Sequence, residues 1–252
     1  PATLAAPRRS GRPANTSWRP GPQPLYEGVM NPWIHLDTAQ IPDGGELRLM
    51  QRGQDYSIMS GRIELMNSRL YGSEVALFRL AWARLAERKA PRVLIGGLGM
   101  GFTLRAALAD LPADGKVVVA ELVPEVIAWA SDHLAPLYGD SLADRRGAIV
   151  QGDVADRLAE ASPPYDMILM DVDNGPDGLN RDANDGLYSR AGLANLKRAV
   201  RRGGVVAVWS AAPDPAFARR FGHAGFAVDE HKVGASPSGK GPRHVIWVGV
   251  SR

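Results

Sequence analysis

The chain contains no cysteine, so disulfide scaffolds, thiolate zinc sites, thiol nucleophiles and iron–sulfur clusters are excluded together. Histidine is sparse. His35, His133, His223, His231 and His244 are scattered without metal-ligand spacing, which favours surface or structural roles and leaves no metal site to expect. Long hydrophobic runs are missing too: stretches such as Val205 to Trp209 fall far short of the roughly 18 residues of a membrane-spanning helix, so no membrane association is expected. Nor is there a basic groove. The net charge of +3 is carried entirely by Arg8, Arg9, Arg12 and Arg19 against Glu27 in the first thirty residues. The remainder is neutral, without the clustered Lys and Arg of a nucleic-acid partner. What is present, 45% hydrophobic and 23% charged residues over 252 positions, suits one large globular domain with cytoplasm as the default compartment.

Residues 1–30 hold six prolines and little apolar periodicity, the composition of a flexible tail that cannot offset its ordering entropy. No apolar stretch follows the arginines, so the segment does not read as a secretory signal, and Met30 is a candidate natural start. Residues 31–72 read as a small β unit. Within it, Glu46 to Met50 and Tyr56 to Ser60 alternate by twos, and Gly61 separates them from Arg62 to Met66, which predicts two or three short antiparallel strands. Ser73 precedes a helical pattern from Glu74 to Glu87.

From residue 73 to 252 the texture is that of an α/β domain. Short apolar runs at 93–95, 117–120, 148–150, 167–170, 205–209, 226–228 and 245–250 alternate with helical stretches. Strands buried on both faces read as unbroken apolar runs, and this alternation signals parallel βαβ units in a doubly wound sheet. Trp82, Trp129, Trp209 and Trp247 fit buried faces as core residues. Lys240, Arg243 and His244 form a small basic cluster that reads as a solvated loop.

Three features fall at the carboxyl ends of successive strands, where open α/β sheets bind ligands. Gly97, Gly99 and Gly101 lie between the first run and a helix, where backbone must turn tightly and approach a ligand closely. Twenty residues past Gly101 stands Glu121, suited to reading the paired hydroxyls of a ribose. Asp153 follows the third run, where it could accept from an adenine amine or simply cap the helix starting at Val154. Together they point to an adenosine-containing ligand, without separating a dinucleotide from an adenosyl sulfonium. The fourth run ends at Asp171, and the loop onward to Tyr188 holds Asp173, Asp177, Asp182 and Asp185 against Arg181, a field that favours a cationic or polar small-molecule partner.

Val93 to Arg105, Ala120 to Ile127, Gly152 to Ala155 and Tyr165 to Asp171 resemble the spermidine synthase family, within the class I S-adenosylmethionine methyltransferase superfold, over about residues 46–250. The resemblance implies a Rossmann-like seven-stranded sheet, an N-terminal β-hairpin unit that contributes to a homodimer, and aminopropyl transfer to an amine. The co-substrate would be decarboxylated S-adenosylmethionine, or S-adenosylmethionine itself, with no metal. On this basis the co-substrate cradle comprises Gly97, Gly99, Met100, Gly101, Glu121, Leu122, Asp153 and Val154. Asp171 falls on the family's catalytic aspartate, and Glu74, Asp173 and Tyr188 are the acceptor contacts.

The sequence also departs from the family. Met100 stands where the family has an acid that contacts the aminopropyl amine, and a thioether cannot balance an ammonium. The family's aromatic-polar-Glu triplet becomes Gly72-Ser73-Glu74, with Tyr71 displaced by one, and Ser236 stands where a polyamine-lining tyrosine is expected. These departures keep open a methyltransferase, or a non-catalytic nucleoside-binding dimeric scaffold.

Overall fold

All seven apolar runs become strands of one sheet, in the order β10-β11-β9-β8-β5-β6-β7. The structure, a computed structural model, describes residues 31–42, 44–85, 88–172 and 186–252. Four strands form the parallel centre with β9: β5 (Arg92–Gly96), β6 (Lys116–Glu121), β7 (Gly147–Gln151) and β8 (Tyr165–Met170). β9 (Val200–Ser210) is followed by the antiparallel pair β10 (Phe226–Gly234) and β11 (Arg243–Ser251). The proposed tail, residues 1–30, and Asp173 lie outside the described residues.

Alternate residues of each central strand pack into different cores. Ile95, Met167, Leu169 and Ala207 face one side, with α1 (Gly72–Trp82), α2 (Phe102–Asp110) and α3 (Pro124–Ser131). Leu94, Ile168, Met170 and Val208 face the other, with α5 (Val154–Ala159), α6 (Arg190–Ala199) and α7 (Pro215–His223). The short α4 (Ala135–Tyr138) lies between α3 and β7 in the chain. Burial on both faces is why no polar alternation shows in these runs. The chain winds β5 to β6 to β7 on one side of β5, then returns to lay β8 and β9 on the other. This reversal opens a crevice at the carboxyl ends of β5 and β8, where Gly97 and Asp171 begin their loops.

The small unit is a four-stranded antiparallel meander, β1 (Ile34–Gln40), β2 (Glu46–Arg52), β3 (Asp55–Ser60) and β4 (Ile63–Asn67). β1 was absent from the sequence expectation because IHLDTAQ is mostly exposed and carries too few apolar residues to alternate visibly. Leu47, Leu49 and Ile58 join the core beneath α1 and α3, and the Trp129 indole donates to Asp37 at 2.7 Å. Helix α1 is shorter than the predicted 74–87. Beyond Trp82 the backbone bonds run from Arg84 to Ala81 and from Leu85 to Trp82, so the chain tightens into turns. Among the described residues no helix is long and apolar enough to cross a membrane.

Candidate active site

Two cavities meet at the switch point, of about 160 Å³ and about 260 Å³, and Leu65, Met66 and Asp171 line both. The first is bounded by the sheet's carboxyl ends, the second by the start of α1 and the beginning of β11.

In the first cavity the glycine loop is held by backbone. Gly97 donates to the Ala120 carbonyl at 2.8 Å, and Asp171 donates through its N–H to Gly96 at 2.9 Å, so the β5–β6 and β5–β8 pairings continue into the loop. Glu121 is buried, and its two carboxylate oxygens accept from the Leu98 N–H at 2.8 Å and the Val123 N–H at 2.9 Å. These bonds fix the carboxylate against the loop. Asp153 is the N-cap of α5, accepting from Ala155 at 2.8 Å, and is exposed at the cavity's edge. Leu122 and Val154 complete that wall.

The structure brings Gly97, Gly99, Glu121, Leu122, Asp153, Val154 and Asp171 to the first cavity and Glu74 to the second, but not every expected residue. Met100 is only 1% exposed and packs into the core, lining neither cavity, because the loop turns its side chain inward just before α2. Gly101 also stands back. It is the left-handed N-cap of α2, and a Cβ there would lie 2.2 Å from the Tyr138 ring. Tyr188 is 2% exposed and sits edge-on to Phe217 in the core beneath α7.

Several contributors were missed from the sequence. The Tyr138 hydroxyl donates to the Gly99 carbonyl at 3.0 Å, bracing the glycine loop from below; burial, reinforced by the Glu121 charge, pushes its pKa up and keeps it a donor. Thr103 donates to Asp171 Oδ2 at 2.6 Å. Met66, on β4, bridges the small sheet to the site: a Cβ on Gly99 would meet its Cε at 2.8 Å. The Gly72 departure also has a steric cause. A Cβ there would lie 2.2 Å from the Ser236 carbonyl oxygen, so no aromatic ring fits, and Tyr71 stacks on Phe102 with ring centroids 4.4 Å apart. None of these contacts leaves a local sequence signal.

Gly99→Ala tests the junction between the cavities. The clashing atoms belong to the end of a flexible thioether, and the backbone is left-handed at φ +50. The expected result is a folded protein losing about 1–2 kcal/mol, with the Met66 side chain displaced into the cavities. Thermal melting checks it.

At the second cavity, Glu74 and Asp171 are partly buried acids within reach of each other's charge. Burial, then the Asp171 charge, raises the Glu74 pKa to about 7, against the pull of its Ser73 bond. Burial raises Asp171 to about 6, against the Thr103 bond. Among the described residues no Lys or Arg lines this cavity. Among the described residues no group of three or more His, Asp or Glu could hold a metal ion.

The fold and these cavities define a Rossmann-like α/β protein with a two-chambered candidate site at the sheet's switch point. No family model matches the chain. In sequence it is similar to polyamine aminopropyltransferases. That of Synechococcus sp. (strain JA-2-3B'a(2-13)) is 35% identical over 89 residues, 34% of this chain and 28% of that protein. That of Saccharolobus islandicus (strain L.S.2.15 / Lassen #1) is 27% identical over 130 residues, 51% of this chain and 42% of that protein. The matched region is thus less than half the length of either relative. In structure the chain resembles a spermidine synthase in complex with the transition state analogue AdoDATO, with TM-score 0.66 and 17% identity over 86% of this chain and 72% of that one. The spermidine synthase from Thermotoga maritima gives TM-score 0.66 and 16% identity over the same shares. The fold is therefore that of spermidine synthase, Rossmann-like with its separate N-terminal sheet.

Proposed function

We propose that this chain is a spermidine synthase-like transferase, moving an aminopropyl group from decarboxylated S-adenosylmethionine to a small-molecule amine. The observation that carries the reading is the meeting of two chambers at Asp171. In the first, Glu121 would take the ribose hydroxyls, Asp153 the adenine amine, and the backbone at Gly97 and Gly99 would approach the nucleoside. In the second, Glu64, Glu74 and Asp171 stand without a Lys or Arg among the described lining residues, a field that suits an ammonium.

The amine nitrogen attacks the carbon next to the sulfonium, and the sulfur–carbon bond breaks with its electron pair going to sulfur, which leaves as a neutral thioether. Positive charge moves from sulfur to nitrogen. The acceptor arrives as an ammonium, with an ordinary pKa of about 10.4, and must lose a proton before its lone pair can attack. Asp171, at the junction, is placed to take it, and its raised pKa makes it a stronger base than an ordinary aspartate. The sulfonium carries its own leaving group, so holding the two reactants close and in line supplies much of the remaining acceleration. The same reading includes a homodimer through the four-stranded sheet, whose Ile34 and Ile63 are 58% and 46% exposed, and a cytoplasmic location.

Incubation with decarboxylated S-adenosylmethionine and 1,4-diaminobutane tests the reaction. Methylthioadenosine release with a lengthened amine is the expected product pair. Release of S-adenosylhomocysteine from S-adenosylmethionine would replace this reading with methyl transfer, and nucleoside binding without any turnover would leave only a scaffold.

A further inference from the structure

His244 and Ser73 are 171 residues apart in the chain, yet the His244 Nδ1 lies 2.9 Å from the Ser73 hydroxyl, which itself donates to Glu74 Oε2 at 2.7 Å. A hydroxyl has one hydrogen. While Glu74 is ionised that hydrogen goes to the carboxylate, so His244 donates through Nδ1. Ser73 is fully buried, which fixes the rotamer of the link. Burial lowers the His244 pKa, keeping the ring neutral as the end of the chain. Trp209 lines the same cavity, edge-on to His244 with ring centroids 4.7 Å apart, and its buried indole N–H has no partner among the described residues. The cavity therefore presents both acids and an unused donor to an occupant.

Asp171 is fixed independently, by Thr103 on α2, and the Thr103 hydroxyl also lies 3.4 Å from the Glu74 carbonyl. Two carboxyls are thus locked in one cavity by two separate side-chain chains. Among the described residues the titratable groups facing it are Glu64 on β4, Glu74 on α1, Asp171 after β8 and His244 on β11. Glu64 accepts from Ser57 and Asn67 and stays on the small sheet's side.

We propose that Glu74 and Asp171 work as a coupled carboxyl pair carrying a single negative charge, with Ser73 and His244 as positioning residues for the Glu74 member, and that a cationic amine enters the cavity with release of the pair's remaining proton. This rests on the amine-acceptor reading. Two like charges in one partly buried cavity resist joint ionisation, so one proton stays until a cation arrives. The proton rests on Glu74, whose burial and neighbouring Asp171 charge both favour the neutral form, leaving Asp171, at the junction of the two cavities, as the base. An ammonium beside the pair favours the doubly ionised form, and the Glu74 O–H bond breaks with its electrons left on oxygen and its proton passing to solvent.

The experiment is calorimetric titration of the full chain, saturated with methylthioadenosine, with 1,4-diaminobutane at a pH between about 6 and about 7. Repeating it in two buffers of different ionisation enthalpy counts protons. The expected result is release approaching one proton per amine, lost in Glu74→Gln. Ser73→Ala, which keeps both carboxyls, should move the midpoint of release to higher pH, because the bond it removes favours ionised Glu74, and Ser73→Thr should restore it. Amine binding without proton release, or release that persists in Glu74→Gln, overturns the pair. An unmoved midpoint in Ser73→Ala overturns the positioning role. Absence of amine binding overturns the acceptor reading itself, and the pair with it.

Discussion

Asp171→Asn should lower turnover by about 10²–10⁴-fold, the usual contribution of a positioned base, while nucleoside affinity stays within a few-fold. Asparagine keeps the shape and can still accept from Thr103, so the first cavity is little disturbed. What it cannot do is take a proton from the amine. The same variant should be more stable than the parent above neutral pH. The Asp171 carboxyl has a pKa near 6 in the fold against an ordinary 3.8, so between these values the folded state binds more protons than the unfolded chain. Stability then falls as pH rises through that window, and at about 1.4 kcal/mol per unit the cost is on the order of 3 kcal/mol once the group is ionised. Melting curves from about pH 5 to pH 8 should show a parent that loses stability and a variant that loses less. A variant less stable than the parent at pH 8 would mean that the carboxylate holds the fold together, and its catalytic assignment would lose its basis.

Gly97→Ala should be a severely damaging single-methyl change at the site. Gly97 has φ +91, a region that L side chains avoid, and an added Cβ would lie 2.3 Å from the Asp171 carbonyl oxygen. Neither partner can yield. Gly97 is tied to Ala120 and Asp171 to Gly96, so the crowded atoms are the backbones of adjoining strands. Left-handed strain alone costs about 1–2 kcal/mol; parting β5 from β8 adds to it, and a total above about 3 kcal/mol lowers the melting temperature by roughly 10 °C in a chain of this length. Nucleoside binding should fail as well. Comparison with Gly99→Ala isolates the cause, since there the clash is with the end of the Met66 side chain. Equal melting temperatures for the two variants would show that the loop has more freedom than these contacts allow.

How much of the site was legible follows from which contacts are local. Glu121 and Asp153 could be placed because each ends a strand whose apolar run is visible, and Asp153 keeps the helix-capping role its position suggests. Met100 and Tyr188 could not, because the direction of a side chain depends on how a loop turns against elements far away in sequence. Met100 faces the core because Gly101 adopts a left-handed conformation against Tyr138, and Tyr188 meets Phe217 from α7. His244 read as part of a solvated basic loop, yet the pairing of β10 with β11 brings it to the start of α1 beside Ser73.

The sequence by itself determined the seven strands of the main sheet, the glycine turn, and the acids at the strand ends, because hydrophobic period and backbone permissiveness act over a few neighbouring residues. Only the tertiary structure decided the strand order that opens the crevice, the two chambers joined at Asp171, and the His244–Ser73–Glu74 chain. Those depend on contacts between residues many positions apart, and such contacts form only once the two cores have packed around the sheet.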